Sequence, residues 1–381
     1  MGAGNTASTP FGFPGKEMAT NTQSEFPAET AAFAPAEGEP RRAIAGRSPW
    51  YLAWRRLRRN YVALGFLALF ILIVVCCACA PLWSHYVAHI GPNTTNNSGT
   101  ITENGKQVPV ISPGHVKVFN GVKLHVGAGI PIGPQWFAAG GRYLLGADTN
   151  GRDIAVRLLY GGLTSLEIGI GSALICTILA LILALVAAYY GGVADWIISR
   201  VFDIIWAFPV LLLAIALGTA LALNGLHIGP FRLASGSLWI PTLIISYVLI
   251  PYVGRPVRGQ LLSLREKEFV EAATSQGAGP LRIMFLEMLP NVASTVLVFF
   301  TLIIASNILT EAALSFLGAG VQPPNASWGT LISDGDQYIV SDPAFALAPG
   351  IALVLTVLSL NVFGDGLRDA LDPRAKVRLE H

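Results

Sequence analysis
Apolar residues run through this chain in long blocks separated by short polar ones. The first block is Tyr61 to Leu82. Five more follow: Leu166 to Tyr190, Trp196 to Leu223, Leu238 to Val253, Val292 to Leu309 and Phe345 to Phe363. About 20 apolar residues cross the hydrocarbon core of a bilayer as a helix, so the pattern predicts six spans. Pro209 interrupts the third block, Pro241 and Pro251 lie in the short fourth, and Pro349-Gly350 sits near the start of the sixth. Each proline breaks a helical hydrogen bond that neighbouring helices must make good. Gly169, Gly171 and Ala173 are small enough to let another helix approach the second block closely. The fold class expected is an all-α integral membrane protein. It has six transmembrane helices with N- and C-termini cytoplasmic, plus a small extracytoplasmic β-containing insertion after the first helix.

The stretch Glu271 to Pro290 lies between the fourth and fifth blocks and is polar and basic. Phe269, Ala272 and Ala273 fall at i, i+3 and i+4, one face of a short helix. Gly277-Ala278-Gly279-Pro280 interrupts it, since glycine loosens the backbone and proline starts a helix rather than continuing one. Ile283, Leu286 and Leu289 mark a second apolar face, and Pro290-Asn291 opens the next block. Small Ala272, Ala273 and Gly277 leave room for another surface, with Glu271 and Arg265 as charged handles.

Two further regions stand apart. Residues 1–46 are rich in Ala, Pro, Glu, Thr, Ser and Gly without apolar periodicity, a composition expected to stay disordered. Residues 84–145 are polar and Gly-rich. Val116 to Val126 reads as a β-hairpin turning at Asn120-Gly121, with Phe119 opposite Val122 and Leu124 on the same face.

Charge orients the spans. With 13% charged residues, the chain has about half the share usual in soluble domains. Its net charge of +2 gives no reason to expect a nucleic-acid partner. Arg55, Arg56, Arg58 and Arg59 precede the first span, and Arg255, Arg258, Arg265, Lys267 and Arg282 separate the fourth from the fifth. Arg368, Arg374, Lys376 and Arg378 follow the sixth, while 312–344 holds no Lys or Arg. The positive-inside rule then puts both termini and the Glu271 segment in the cytoplasm.

Little else reads as chemistry. Cys76, Cys77, Cys79 and Cys176 all lie in apolar runs and read as small packing residues, although Cys76 and Cys79 formally make a C-x-x-C. His85 and His89 have metal-compatible i, i+4 spacing but no third ligand, so no metal site is expected. Glu167, Arg200, Asn307, Glu311 and Asn361 fall in or near spans, the charged ones near predicted ends. Asp203 either pairs with Arg200 or lines a pathway. No Walker A sequence, H-E-x-x-H or G-x-S-x-G occurs. The chain is therefore expected to be no enzyme and to carry no cofactor of its own.

Glu271-Ala272-Ala273, then Gly277, then Leu289-Pro290 resembles the EAA motif of permease subunits of bacterial ABC importers, with Met288 where the family usually has isoleucine. Leu145 to Asp153 (LGADTNGRD) is similar to the G-T-D-x-x-G-R-D segment of the dipeptide, oligopeptide and nickel branch. Glu311 to Gly318 (EAALSFLG), with Gln322-Pro323-Pro324 and Ser327-Trp328-Gly329, resembles that branch's E-A-x-L-S-F-L-G…P-S-W-G segment. Gly364 to Arg374 resembles its C-terminal signature. The likeness covers 47–376, and the four motifs occur in the family's order.

The resemblance implies a permease subunit of an ATP-driven importer of dipeptides or oligopeptides, in the bacterial cytoplasmic (inner) membrane. Nickel or another small solute is the alternative within the family. The implied partners are a homologous second permease, two ATP-binding subunits, an extracytoplasmic substrate-binding protein and membrane lipid. The implied ATPase-coupling residues are Glu271, Ala272, Ala273, Gly277, Leu289 and Pro290. The implied domains are a cytoplasmic tail at 1–46, a basic anchor with the first helix at 47–83, an extracytoplasmic insertion at 84–145, a permease domain at 146–366 with a coupling loop at 257–290, and a C-terminal tail at 367–381. Two other classes stand beside this one. A secondary transporter or channel would need internal repeats with broken helices or a filter ring, and neither is evident. A membrane anchor would act through 84–145.

Overall fold
In the computed structural model the described residues are 49–371, apart from 104–105, 120–121 and 137–139. The tail at 1–46, the Asn120-Gly121 turn and the motif end at Asp372-Pro373-Arg374 lie outside them.

The chain enters through α1 (Pro49–Leu57) and α2 (Tyr61–Ala78), then a short α3 (Ala80–Trp83) and a π turn at Ser84–Ala88. Two hairpins follow, β1 (Thr100–Glu103) with β2 (Lys106–Pro109) and β3 (Ile111–Phe119) with β4 (Val122–Pro131), both antiparallel. Phe119 pairs with Val122, the register that the sequence predicts. The next helices are α4 (Ile154–Tyr190), α5 (Gly192–Trp206) and α6 (Val210–Asn224). A hairpin of β5 (Leu226–Ile228) and β6 (Phe231–Leu233) separates them from α7 (Trp239–Arg265). Then come α8 (Glu268–Ser275), α9 (Pro280–Arg282), a second π turn (Ile283–Met288), α10 (Leu289–Phe316), α11 (Trp328–Asp336) and α12 (Pro343–Leu371).

Five helices among the described residues are long and apolar enough to span: Tyr61–Ala78, Ile154–Tyr190, Trp239–Arg265, Pro280–Phe316 and Pro343–Leu371. The third block, Trp196 to Leu223, differs from expectation. It is two helices, α5 and α6, bent by 85° at Pro209, so six spans are reached only if this pair counts as one. Pro209 has no N–H to continue the ladder and drives Phe208 toward extended backbone. Two other helices extend beyond their apolar blocks. The second helix starts at Ile154 rather than Leu166, and the fourth runs past Val253 to Arg265. At 37 residues, α4 is about 55 Å long, more than a bilayer core of about 30 Å. Its first turns, from Ile154 to Ser165, carry the buried Arg157 and pack inside the protein, so they need no lipid.

The bundle is organised around α4. Ala173, Cys176, Ala180, Ala184 and Ala188 are buried along one stripe, facing Ile244, Ile245 and Val248 of α7 and Ile304 and Ile308 of α10 within one core. Between apolar helices in lipid, close van der Waals contact drives association. A Cβ built on Gly169 would lie 2.3 Å from Ile308 Cγ1, so that crossing requires glycine. Gly171 is looser, its nearest neighbour being Thr242 at 3.6 Å. Polar ties run through the same contact: the Asn307 amide and Ser172 hydroxyl lie 2.7 Å apart, and Ser246 Oγ donates to Ser172 O at 3.2 Å.

The helices gather distinct neighbours at each end. The Arg265 guanidinium donates to Ala188 O at 3.3 Å, joining the ends of α7 and α4. The start of α10 and the end of α12 share a hollow with Pro256 and Gln260 of α7. At the opposite end, Ile101, Val110, Tyr143 and Ala147 form a small separate core under the hairpins.

Candidate functional site
The segment from α8 to α10 hangs off the α4–α7 end of the bundle. Lys267 is the N-cap of α8, with Glu268 and Glu271 in its first turn, where carboxylates complement the helix dipole. The helix is closed by a Schellman motif. Ala278 N donates to Ala273 O at 3.1 Å and Gly277 N to Thr274 O at 2.9 Å. This geometry needs a left-handed residue after the helix, and Gly277 supplies it with φ of +79°. The glycine is therefore required by the backbone. A Cβ there would meet nothing within 4 Å.

The buried faces differ from those expected. In α8, Val270 is buried and Ala273 packs on the core, while Ala272 is exposed and Phe269 is 38% exposed. After Pro280 the chain winds as a π turn, and the buried side chains are Ile283, Met284 and Met288 rather than Ile283, Leu286 and Leu289. The cause is Pro290. It cannot donate to the carbonyl of Leu286, and its ring crowds that carbonyl. The backbone therefore takes one wider turn, closed by Leu289 N donating to Met284 O. The wider turn shifts the inward stripe from i, i+3 to i, i+5.

What remains outside is an apolar surface in a polar segment. Leu281 is 69%, Leu286 66% and Phe285 46% exposed. They flank the break beside exposed Glu271, Ala272, Gly277 and Pro290, while Ala273 and Leu289 are half-buried. Leu281, Phe285 and Leu286 escaped sequence reasoning because a helical period assigned Leu286 inward. Only the π turn reveals otherwise.

At the other end, Leu145 to Asp153 is a capping loop. Asp153 is the N-cap of α4; its Oδ1 accepts from Ala155 N and Val156 N, and its Oδ2 from Tyr143 N at 2.6 Å. Asp148 Oδ1 accepts from Asn150 N and Arg152 N, and its Oδ2 pairs with Arg152 Nε at 2.6 Å. Buried Arg157 lies 3.4 Å from the same oxygen. Burial pushes the Asp153 carboxyl above its ordinary range, and the three amides partly offset that. Asp342 is raised likewise by burial.

The Glu311 motif builds the neighbouring joint. Glu311 is fully buried and accepts from Ser315 Oγ at 2.6 Å. Ser327 and Thr330 form a capping box on α11. The Trp328 indole donates to Leu158 O at 3.1 Å, and Trp328 N to Ser165 Oγ at 3.2 Å. The start of α11 is thus sewn to α4 and α10. Glu311 is a buried structural carboxylate held by hydroxyls rather than an interfacial residue.

Asp203 lies on α5, half-exposed, 3.7 Å from Arg200 and 2.7 Å from Arg255, whose guanidinium stacks over Trp206 at 4.3 Å. The Arg200 pair follows from i, i+3 spacing; the Arg255 pair joins α5 to α7 and is invisible in sequence. Arg258 is paired with Asp195 in the same way. Glu167 is exposed one turn from Gly171, close to the level at which α7 begins. Cys76 and Cys79 are exposed, Cys77 and Cys176 buried, and all are free thiols. His85 lies in the first π turn and His89 is a left-handed cap, so the two do not keep α-helical spacing. Among the described residues no three His, Cys, Asp or Glu side chains cluster as a metal would require.

Comparison with known proteins gives these ends a context. The family model described as binding-protein-dependent transport system inner membrane component matches residues 168–377. The chain belongs to this family. A second model, the N-terminal TM domain of oligopeptide transport permease C, matches residues 48–99. The transport component is 36% identical over 330 residues to the glutathione transport system permease protein GsiD of Pectobacterium atrosepticum, covering 87% of this chain and 93% of that protein. It is 43% identical over 246 residues to the dipeptide transport system permease protein DppC of Alkalihalophilus pseudofirmus, covering 65% of this chain and 74% of that one. Among solved structures, a chain of the inward-facing MetNI methionine ABC transporter aligns with 19% identity and a TM-score of 0.45, over 57% of this chain and 98% of that one. The chain is a multi-pass ABC-type transport permease, and its relatives are transport permeases rather than enzymes.

Proposed function
We propose that this chain is the membrane-spanning subunit of an importer for dipeptides or other short peptides in the bacterial inner membrane, driven by separate ATP-binding subunits. The observation that carries the reading is the apolar surface of Phe269, Leu281, Phe285 and Leu286 on an otherwise polar segment at one end of the bundle. Exposed apolar groups clustered beside charge mark a protein-binding surface. The basic residues of the neighbouring loops favour the cytoplasm for that end. Two ATP-binding subunits would dock there, one on this loop and one on its counterpart in a homologous second permease. Glu271 would make a polar contact, and Ala272 would allow close approach. Ala273 and Leu289 would act from beneath, and exposed Pro290 would enforce the π turn that presents the surface. Gly277 would set the turn between them.

An extracytoplasmic binding protein would deliver substrate at the opposite end, beside the 84–145 insertion. Relatives named for dipeptides, peptides and glutathione support peptides as cargo. Energy would pass because the docking surface meets two ATPase states with different affinity; equal affinity would transmit nothing. Asp203, on the bent α5, is the residue proposed to face the pathway, with Arg255 as its counter-charge.

The test is co-purification of the detergent-solubilised complex with wild type, Ala272→Trp and Leu286→Glu. Wild type is expected to retain an ATPase and a second permease. Both variants are expected to lose the ATPase alone, at unchanged unfolding temperature. A wild type that brings down no ATPase overturns the reading.

A further inference from the structure
The approach to the first span is built as more than an anchor. One face of α1 is seated on the bundle: Ala53 and Leu57 are 8% and 6% exposed. Leu57 joins Ala63, Phe363, Leu367 and Ala370 in a cluster at the end of α12. Arg56 donates to Ala370 O at 3.5 Å. A Cβ on Gly366 would come within 2.4 Å of Ala63 Cβ, so α2 and α12 touch there directly.

The other face looks outward. Tyr51, Trp54, Arg55, Arg58 and Arg59 line an open hollow of about 290 Å³. Trp54 is 56% exposed, and the Arg58 guanidinium stands 5.7 Å from the centre of its ring. Arg55 and Arg59 are exposed as well. Among the described residues no carboxylate forms an ion pair with Arg55, Arg58 or Arg59. The hollow adjoins the first turn of α2, where Tyr61 is 82% and Val62 63% exposed. Only 11% of the apolar window of that helix is buried. The neighbouring surface is therefore hydrocarbon-facing, and the hollow lies at headgroup depth.

We propose that this hollow binds the phosphate of an anionic phospholipid. The guanidinium groups of Arg55, Arg58 and Arg59 donate to its phosphate oxygens, as forked donors do best. Trp54 and Tyr51 sit at the boundary between headgroup and acyl chain, where amphipathic rings are favoured. The acyl chains lie along α2. Free phosphate shares the charge but would leave Trp54, Tyr61 and Val62 uncovered, so the lipid is the occupant. Because α1 rests on the end of α12, the lipid also holds these two chain ends together. The inference does not depend on which solute is carried.

The experiment is lipid retention on the intact chain by native mass spectrometry, with equimolar phosphatidylglycerol and phosphatidylcholine supplied in detergent. A preference for phosphatidylglycerol of about tenfold or more is expected, since each basic residue near an anionic surface gives about fivefold. The triple variant Arg55→Gln, Arg58→Gln and Arg59→Gln should bring that ratio to about one, and the matching triple lysine variant should keep part of it. Unfolding temperatures in phosphatidylcholine alone should agree for all three, which separates binding from folding. An unchanged ratio in the glutamine variant overturns the proposal. So does full displacement of phosphatidylglycerol by millimolar inorganic phosphate, which would make the hollow a free-anion site.

Discussion
Replacing Gly277 separates two explanations of the same glycine, close approach of a partner and backbone conformation. At φ of +79°, an L-residue suffers from its Cβ crowding the following carbonyl, at about 1–2 kcal/mol. Asn visits this region far more readily. The space around the position is open, with no atom within 4 Å of a built Cβ, so side-chain volume adds nothing in the isolated chain. Gly277→Ala should therefore weaken the Ala278 N to Ala273 O and Gly277 N to Thr274 O bonds. About 1–2 kcal/mol corresponds to roughly 5- to 30-fold more opening. Hydrogen–deuterium exchange of α8 peptides, in nanodiscs without partners, reads this directly. The expected order is Gly slowest, then Asn, then Ala, with Trp close to Ala. An exchange rate that climbs with side-chain size, or Asn equal to Ala, would refute the backbone account. Steric effects of Gly277→Trp on a docked ATPase then need correction for this strain, which is why Ala272→Trp is the cleaner blocking variant.

Other outcomes follow from the packing and the caps. Gly169→Val should lower stability by about 1–3 kcal/mol through overpacking against Ile308, with partial recovery on adding Ile308→Ala, read by thermal unfolding in detergent. Asp153→Ala should cost about 2 kcal/mol or more, combining a lost N-cap with a buried Tyr143 amide left unpaired; a change under 0.5 kcal/mol in thermal unfolding would contradict the cap. Asp342 and Asp153 are both raised by burial above their ordinary 3.8, so the folded chain binds more protons than the unfolded one. Their contribution is fully present below pH 3.8 and is lost as pH rises through the folded values. Asp342→Asn should remove part of that slope in unfolding temperature measured against pH. Asp203→Asn should change stability by less than about 1 kcal/mol, as befits a half-exposed ion pair, while peptide uptake in reconstituted vesicles falls if the residue lines the pathway.

The spans were legible because hydrocarbon tolerates so few polar groups that composition alone marks them. Their ends were not, since Ile154 to Ser165 and Arg255 to Arg265 stay helical beyond the apolar blocks, and Pro256 in the second lies inside the helix rather than ending it. The bend at Pro209 was visible as a proline, but its 85° was not, because a proline in a helix permits a kink or a corner equally. The segment from α8 to α10 stands out by its motif, and the glycine break within it lies where the sequence places it. Its outward face was misassigned because the period assumed was 3.6 residues, and one π turn ahead of Pro290 rotates Leu286 outward and Met288 inward. Asp203 with Arg255 and Asp195 with Arg258 join residues on different helices, and nothing in the local pattern pairs them. The loop at Leu145 to Asp153 was recognised by likeness. Its work as a cap, with Asp153 serving α4 and Tyr143 together, depends on a fold-back that spacing does not encode.

Under the proposed function, the near-continuous winding from Pro280 to Phe316 would let this element work as a lever. Its fulcrum is the crossing at which Ile308 presses into the gap left by Gly169. At about 1.5 Å per residue, Leu286 stands about 33 Å from that point on one side, and Phe316 about 12 Å on the other. A rod so divided trades distance for force. A displacement of about 3 Å at Leu286 would arrive as about 1 Å at Ser315 and Phe316, with nearly threefold mechanical advantage, and as less than half of that distance at Glu311. Small, forceful shifts suit a joint sewn by hydroxyls and an indole, which would yield by exchanging hydrogen bonds rather than by sliding far.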